Sequence, residues 1–137
     1  MEDLCPASFC ENLNEFLMEE FGYKKRYTCN SSWGLTIMAQ TKRYDLYFRW
    51  LPSSSIWEKN TLVIARIGFH EARAGHGTRL LQFICEHCHT FGYQHIGIES
   101  SNHCSSEFAK HFGFKSLRSK DWVISIEELS KKFAPSC

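Results

Sequence analysis

Apolar residues along this chain switch between two spacings. Phe9, Leu13, Phe16, Leu17 and Phe21 recur at helical spacing and share one face. Pro6 suits the first turn of that helix and Gly22 its end. Lys24, Lys25 and Arg26 then read as a solvated basic cluster at the helix terminus. The period drops to two in the next stretch. Trp33, Leu35, Ile37 and Ala39 alternate with Gly34, Thr36 and Met38, and Tyr44, Leu46, Phe48 and Trp50 alternate with Asp45, Tyr47 and Arg49. These are two strands joined by a hairpin over residues 40–43. Leu51-Pro52-Ser53-Ser54-Ser55 breaks the alternation and opens a loop reaching Asn60.

Thr61–Phe69 (TLVIARIGF) is apolar on nearly both faces, as a strand in the middle of a sheet should be. Arg73-Ala74-Gly75-His76-Gly77-Thr78 leads into a helix marked by Leu80, Leu81, Ile84, Cys88 and Phe91, which Gly92 closes. A short strand over 95–99, a short helix over 101–111, strands over 114–117 and 122–126, and a terminal helical turn within 127–133 complete the pattern. The predicted order is helix, three strands, helix, strand, helix, strands. That order gives a mixed α/β fold, in which the helix over 77–91 joins a parallel strand pair beside antiparallel hairpins. Neither a repeat nor a composition break divides residues 1–137, so one domain is expected.

Sixteen basic and 15 acidic residues leave a net charge of +1, which argues against a nucleic-acid partner bound through a broad cationic face. No apolar run reaches the roughly 18–20 residues of a membrane span, and no signal segment is evident. A soluble, cytoplasmic protein without a membrane partner is expected. The seven cysteines are odd in number and irregularly spaced, which favours thiols, most of them small buried hydrophobes. Cys85-Glu86-His87-Cys88-His89 matches the haem-attachment pattern and has metal-like spacing. It falls inside an amphipathic helix, with no second cysteine pair to complete a metal site. No metal is expected there.

A strand, a glycine-rich turn and a helix together make a phosphate cradle. Glycine lets the backbone approach a ligand, the first helical N–H groups are unpaired, and the helix dipole is positive there. Arg73 is placed to add a full charge. Two nucleotide fingerprints do not fit: Gly77 is followed by Thr78-Arg79 instead of Lys-Ser/Thr, and Leu80 occupies the third glycine of G-x-G-x-x-G.

Residues 72–77, followed by Thr78-Arg79-Leu80-Leu81, resemble the Q/R-x-x-G-x-G/A acetyl-CoA motif of the GNAT (GCN5-related N-acetyltransferase) superfamily. Residues 102–114 (NHCSSEFAKHFGF) are similar to its second signature, an asparagine after the fifth strand and a helix ending in Gly-Phe. The resemblance covers an acyl-CoA-binding core over residues 61–114. It implies a GNAT-like mixed, mainly antiparallel sheet flanked by helices, with a splayed parallel strand pair. It also implies acetyl-CoA as co-substrate and an N-acyltransferase acting on the primary amine of a small molecule or peptide in a ternary complex.

Under that resemblance Ile67, Gly68 and Phe69 hold the pantetheine arm through their main chain. Arg73, Ala74, Gly75, His76, Gly77 and Thr78 surround the diphosphate, and Asn102 and Phe108 complete the cofactor contacts. The Phe69 N–H is the expected oxyanion donor, with a bulge at Gly68 keeping it unpaired. Glu99 is the first candidate for the general base, the alternative being a helix cap or a solvated carboxylate. His70 and Glu71 read as loop residues. His76 either donates to a phosphate or points outward, and Asn102 either bonds the pantetheine or caps the next helix.

Two departures stand out. Ala72 replaces the usual Gln or Arg, and Ala109 stands where the family often has the tyrosine that protonates the leaving thiolate. A catalytically weak or inactive acyl-CoA sensor is therefore the alternative function. The region before the third strand is short, which leaves the acceptor site open or completed by a second subunit of a homodimer. Trp33, Tyr44, Tyr47, Trp50 and Trp57 read as core, and any exposed member could line an acceptor cleft.

Overall fold

The structure is a computed structural model, and it describes residues 6–30, 36–51, 57–71, 75–87, 92–99, 101–118 and 120–133. Helix α1 (Pro6–Phe21) ends where Gly22 takes φ of 72°, a conformation that strains any side chain-bearing residue. Nη1 of Arg43 donates to the Phe21 carbonyl at 2.8 Å, satisfying one of the acceptors a helix end leaves open. Phe9, Leu13, Leu17 and Phe21 are buried, as the helical spacing requires.

Strand β1 (Thr28–Asn30) was not expected. It follows the basic cluster directly and is too short to display a period of its own. Strands β2 (Thr36–Gln40) and β3 (Tyr44–Leu51) form the expected hairpin, while Trp33 and Leu35 lie outside the described residues. In β3 the burial alternates: Tyr44, Leu46, Phe48 and Trp50 are inside, and Asp45, Tyr47 and Arg49 are half-exposed. Among the described residues, α1 packs on one face of this part of the sheet.

Strand β4 (Thr61–Phe69) is followed by helix α2 (His76–Glu86), strand β5 (His95–Ile98) and helix α3 (His103–His111). Strands β6 (Lys115–Arg118) and β7 (Asp121–Ser125) lead to helix α4 (Ile126–Ser130). The seven strands form one sheet in the order β1-β2-β3-β4-β5-β7-β6. All neighbours are antiparallel except β4 and β5. This is the mixed, mainly antiparallel sheet with one parallel strand pair expected from the sequence. No described helix is long and apolar enough to cross a membrane.

One packing contact fixes how β5 is covered. Trp57 lies on the Cα of Gly97, where an added Cβ would come closer than 3.0 Å to three indole carbons. Trp57, Trp50 and Tyr44 are all buried, which leaves Tyr47 as the half-exposed member of the aromatic set among the described residues. Among the cysteines, Cys10 is buried, Cys85 half-buried and Cys104 exposed. Cys85 sits on α2, whereas Cys88 and His89 lie outside the described residues.

Candidate active site

Strands β4 and β5 run side by side only from Thr61↔His95 to Ile64↔Ile98. The last rung is the bond from the Glu99 N–H to the Ile64 carbonyl at 3.0 Å. Beyond it β4 continues to Phe69 while β5 has ended, so the remaining β4 edge has no β5 rung beside it. The register explains the parting. Phe48 faces Ile64 and Tyr47 faces Arg66, so Ala65 is the extra residue of a β-bulge, and a bulge bends its strand. The bulge therefore falls at Ala65 and not at Gly68, whose Cα pairs in register with Asp45.

A cleft of about 260 Å³ opens at this divergence. Ala65, Arg66, Ile67 and Gly68 form one wall, Ile98 and Glu99 the other, with Asn102, Ser105 and Asp45 at its ends. Phe69, the expected oxyanion donor, is not among the lining residues. Its ring stacks with Phe21 at 6.1 Å and lies 5.5 Å from His76. Beside it, burial pushes the Tyr44 phenol up to about 12, because desolvation disfavours the phenolate.

Glu99 faces the cleft and is held there. Its Oε2 accepts from Nη2 of Arg49 at 2.5 Å, with the two side chains 28% and 36% exposed. Nε of Arg49 is buried without a partner. A second pair, Arg66 with Asp45 at 3.1 Å, stands at the mouth, and the Arg66 guanidinium lies 5.2 Å from the Tyr47 ring centroid. The exposed sheet face thus brings the Asp45 and Glu99 carboxylates and the Arg66 guanidinium to the cleft, with Arg49 and Tyr47 as their neighbours.

Asn102 caps α3, one of the two roles expected of it. Its Oδ1 accepts from the Ser105 N–H at 2.9 Å, closing a capping box with the Ser105 hydroxyl, and the residue also lines the cleft. Ser105 carries the cleft's hydroxyl among the described lining residues. Ala109 is fully buried, so its helix position faces the core.

The glycine turn sits at the start of α2. Gly75 has φ of 84° and serves as N-cap, and the first i→i−4 bond runs from the Arg79 N–H to the Gly75 carbonyl at 3.0 Å. The amides of His76, Gly77 and Thr78 precede that bond and have no acceptor within the helix. Arg73 and Ala74 lie outside the described residues. Thr78 is exposed. Phe108 lays its ring on Gly77, where a Cβ would lie 2.8 Å from Cε1.

His76 points neither outward nor simply at a ligand. Its side chain is 8% exposed, with its ring 4.4 Å from that of Phe21. Its Nδ1 lies 2.6 Å from Oε2 of Glu20, and Nε of Arg79 donates to the same oxygen at 2.5 Å. Sequence reasoning missed this cluster because nothing in residue order links Glu20, on α1, to the glycine turn 56 positions on. His70 and Glu71 are exposed, with Oε1 of Glu71 3.8 Å from Nε2 of His76.

No protein-family model matches this sequence, and no curated protein matches it. Solved structures do resemble it. AtaTR bound with acetyl-CoA is 13% identical, with a TM-score of 0.52 over 72% of this chain and 69% of that chain. A mutant AtaT toxin bound to the C-terminus of the antitoxin AtaR is 13% identical, with a TM-score of 0.52 over 74% of this chain and 72% of that one. A KacTA–DNA complex is 11% identical, with a TM-score of 0.52 over 96% of this chain and 87% of that chain. At such identities the likeness establishes a shared fold.

Proposed function

We propose that this protein is an N-acyltransferase, which moves an acetyl group from acetyl-CoA to a primary amine of a small molecule or peptide. The observation that carries the reading is the parting of β4 and β5 after Ile64 and Ile98, beside a glycine turn that opens α2. The cleft's volume of about 260 Å³ is near the lower end for small-molecule sites, roughly 300 Å³. It therefore suits the thioester end of a long cofactor, with the diphosphate left outside at the turn. The acetyl-CoA carried by a structural neighbour supports the same choice of donor.

In this reading the exposed β4 backbone between residues 65 and 68 supplies the N–H that polarises the thioester carbonyl. Glu99 takes the proton as the neutral amine attacks the carbonyl carbon. The C–N bond forms, the C–S bond breaks, and the thiolate takes a proton to leave as the thiol of CoA. With Ala109 buried, that proton comes from water or is handed on from Glu99 through the cleft. The two ion pairs at the mouth give a cationic or zwitterionic acceptor both signs of charge to meet. The nearly balanced net charge leaves nucleic acid outside the proposal.

A second reading, an acyl-CoA sensor without turnover, is favoured by Ala109 in particular. Thiol release from acetyl-CoA across polyamines, aminoglycosides, amino acids and peptides separates the two. Turnover with any amine supports the transferase. Calorimetric binding of CoA with no turnover supports the sensor, and no CoA binding at all removes both.

A further inference from the structure

Helix α1 carries Glu15, Glu19 and Glu20 toward α2. With Glu86 they border a recess of about 520 Å³, whose wall also includes Arg79. Of these carboxylates Glu20 lies beside the start of α2, and the field of the acidic recess opposes an anion bound there. Among the described residues, His76 and Arg79 stand between Glu20 and the glycine turn. Arg79 anchors its Nε on Glu20 and lays its guanidinium across Gly75, with Nη1 2.8 Å from where a Cβ would be. Its Nη2 also lies 3.3 Å from Nδ1 of His76. Glu20 is 12% exposed and Arg79 47%, so the carboxylate is fixed in place while the guanidinium stays open to an incoming anion. The turn has a polar atom to spare as well. Nε2 of His76, on the side of Glu71, is buried without a hydrogen-bond partner.

We infer that Arg79 is a diphosphate-binding residue of the glycine turn and that Glu20 is the residue that positions it. The inference rests on the acyl-CoA reading above. Removing the cation acts twice in the same direction: it takes a positive charge from beside the turn, and it uncovers Glu20 and the acidic recess to the incoming phosphates. Glu20 acts through Arg79, by fixing the guanidinium over Gly75 instead of leaving it mobile along the α2 surface.

The test is calorimetric binding of acetyl-CoA to the full chain and to Arg79→Gln, with thermal unfolding of each as a fold control. Arg79→Gln is expected to weaken acetyl-CoA binding about tenfold and to flatten its salt dependence. Its affinity for S-acetylpantetheine, which lacks the diphosphate, should change less than twofold. In a Glu20→Gln background the loss caused by Arg79→Gln should shrink to under threefold. Equal weakening toward both ligands, or no weakening, overturns the assignment of Arg79. An undiminished tenfold loss in the Glu20→Gln background overturns the positioning role of Glu20. Failure of the parent chain to bind acetyl-CoA sinks the acyl-CoA reading itself, a result distinct from the other two.

Discussion

Arg49 and Glu99 meet across an intervening strand: Nη2 of the arginine lies 2.5 Å from Oε2 of the glutamate, although Arg49 is on β3 and Glu99 follows β5. Strand β4 ends its pairing with β5 just beneath this bridge, at Ile64. If Glu99 is the base, Glu99→Gln should lower kcat by about 10²–10⁴-fold and leave the KM for acetyl-CoA within threefold of the parent. Steady-state thiol release measures both, and a parent-like kcat removes Glu99 from the mechanism.

The Gly75 turn separates backbone strain from charge. Its φ of 84° and the nearness of Arg79 burden any side chain there, so Gly75→Ala should lose about 1–2 kcal/mol of stability. Gly75→Glu shares that strain and adds a carboxylate beside the diphosphate. We expect CoA affinity to fall at least thirtyfold further in Gly75→Glu than in Gly75→Ala, by calorimetry. Equal affinities in the two variants would place the phosphates elsewhere.

Gly97 lies under an indole, and its Cβ would sit within the van der Waals space of Trp57. Gly97→Ala should destabilise the fold by about 1–3 kcal/mol through overpacking and alter tryptophan fluorescence as the ring is displaced. Chemical denaturation read by fluorescence checks both.

Tyr44 makes stability depend on alkaline pH. Burial pushes its phenol up to about 12, above the value near 10 of an unfolded tyrosine. The folded state therefore favours the neutral form. That stabilisation is complete below about pH 10 and is lost as pH rises toward 12, at about 2–3 kcal/mol in all. Tyr44→Phe should flatten the stability curve between these limits, measured by urea unfolding at each pH.

Restoring a tyrosine at position 109 is not expected to restore an acid. Ala109 is fully buried, so Ala109→Tyr must push a ring into a packed interior, costing about 1–3 kcal/mol or more. A lower melting temperature without faster thiol release is the expected outcome. A stable and faster variant would show that this face of α3 turns toward the cleft.

Much of the architecture could be read from local pattern. The period-2 runs around Ile37 and Phe48 and the continuous apolar run of Thr61–Phe69 mark strands because burial on one or both faces leaves a direct trace in residue order. Gly22, Gly75 and Gly92 mark turns because each carries positive φ. The glycine turn was legible for the same reason. Strand β1 was not, since three residues cannot display a period. The bulge was assigned to Gly68 on residue type, yet Ala65 takes it, because register is settled by what pairs across β3.

Residue order alone determined most of the helices and strands and the glycine turn that opens α2, since these follow from neighbours within a few positions. Only the tertiary structure decided that Glu20 reaches His76 and Arg79, 56 and 59 positions away, and that Arg49 takes hold of Glu99, 50 positions on. Charged side chains pair through space at a few ångströms, and no periodicity in a chain records which distant partner the packing will bring that close.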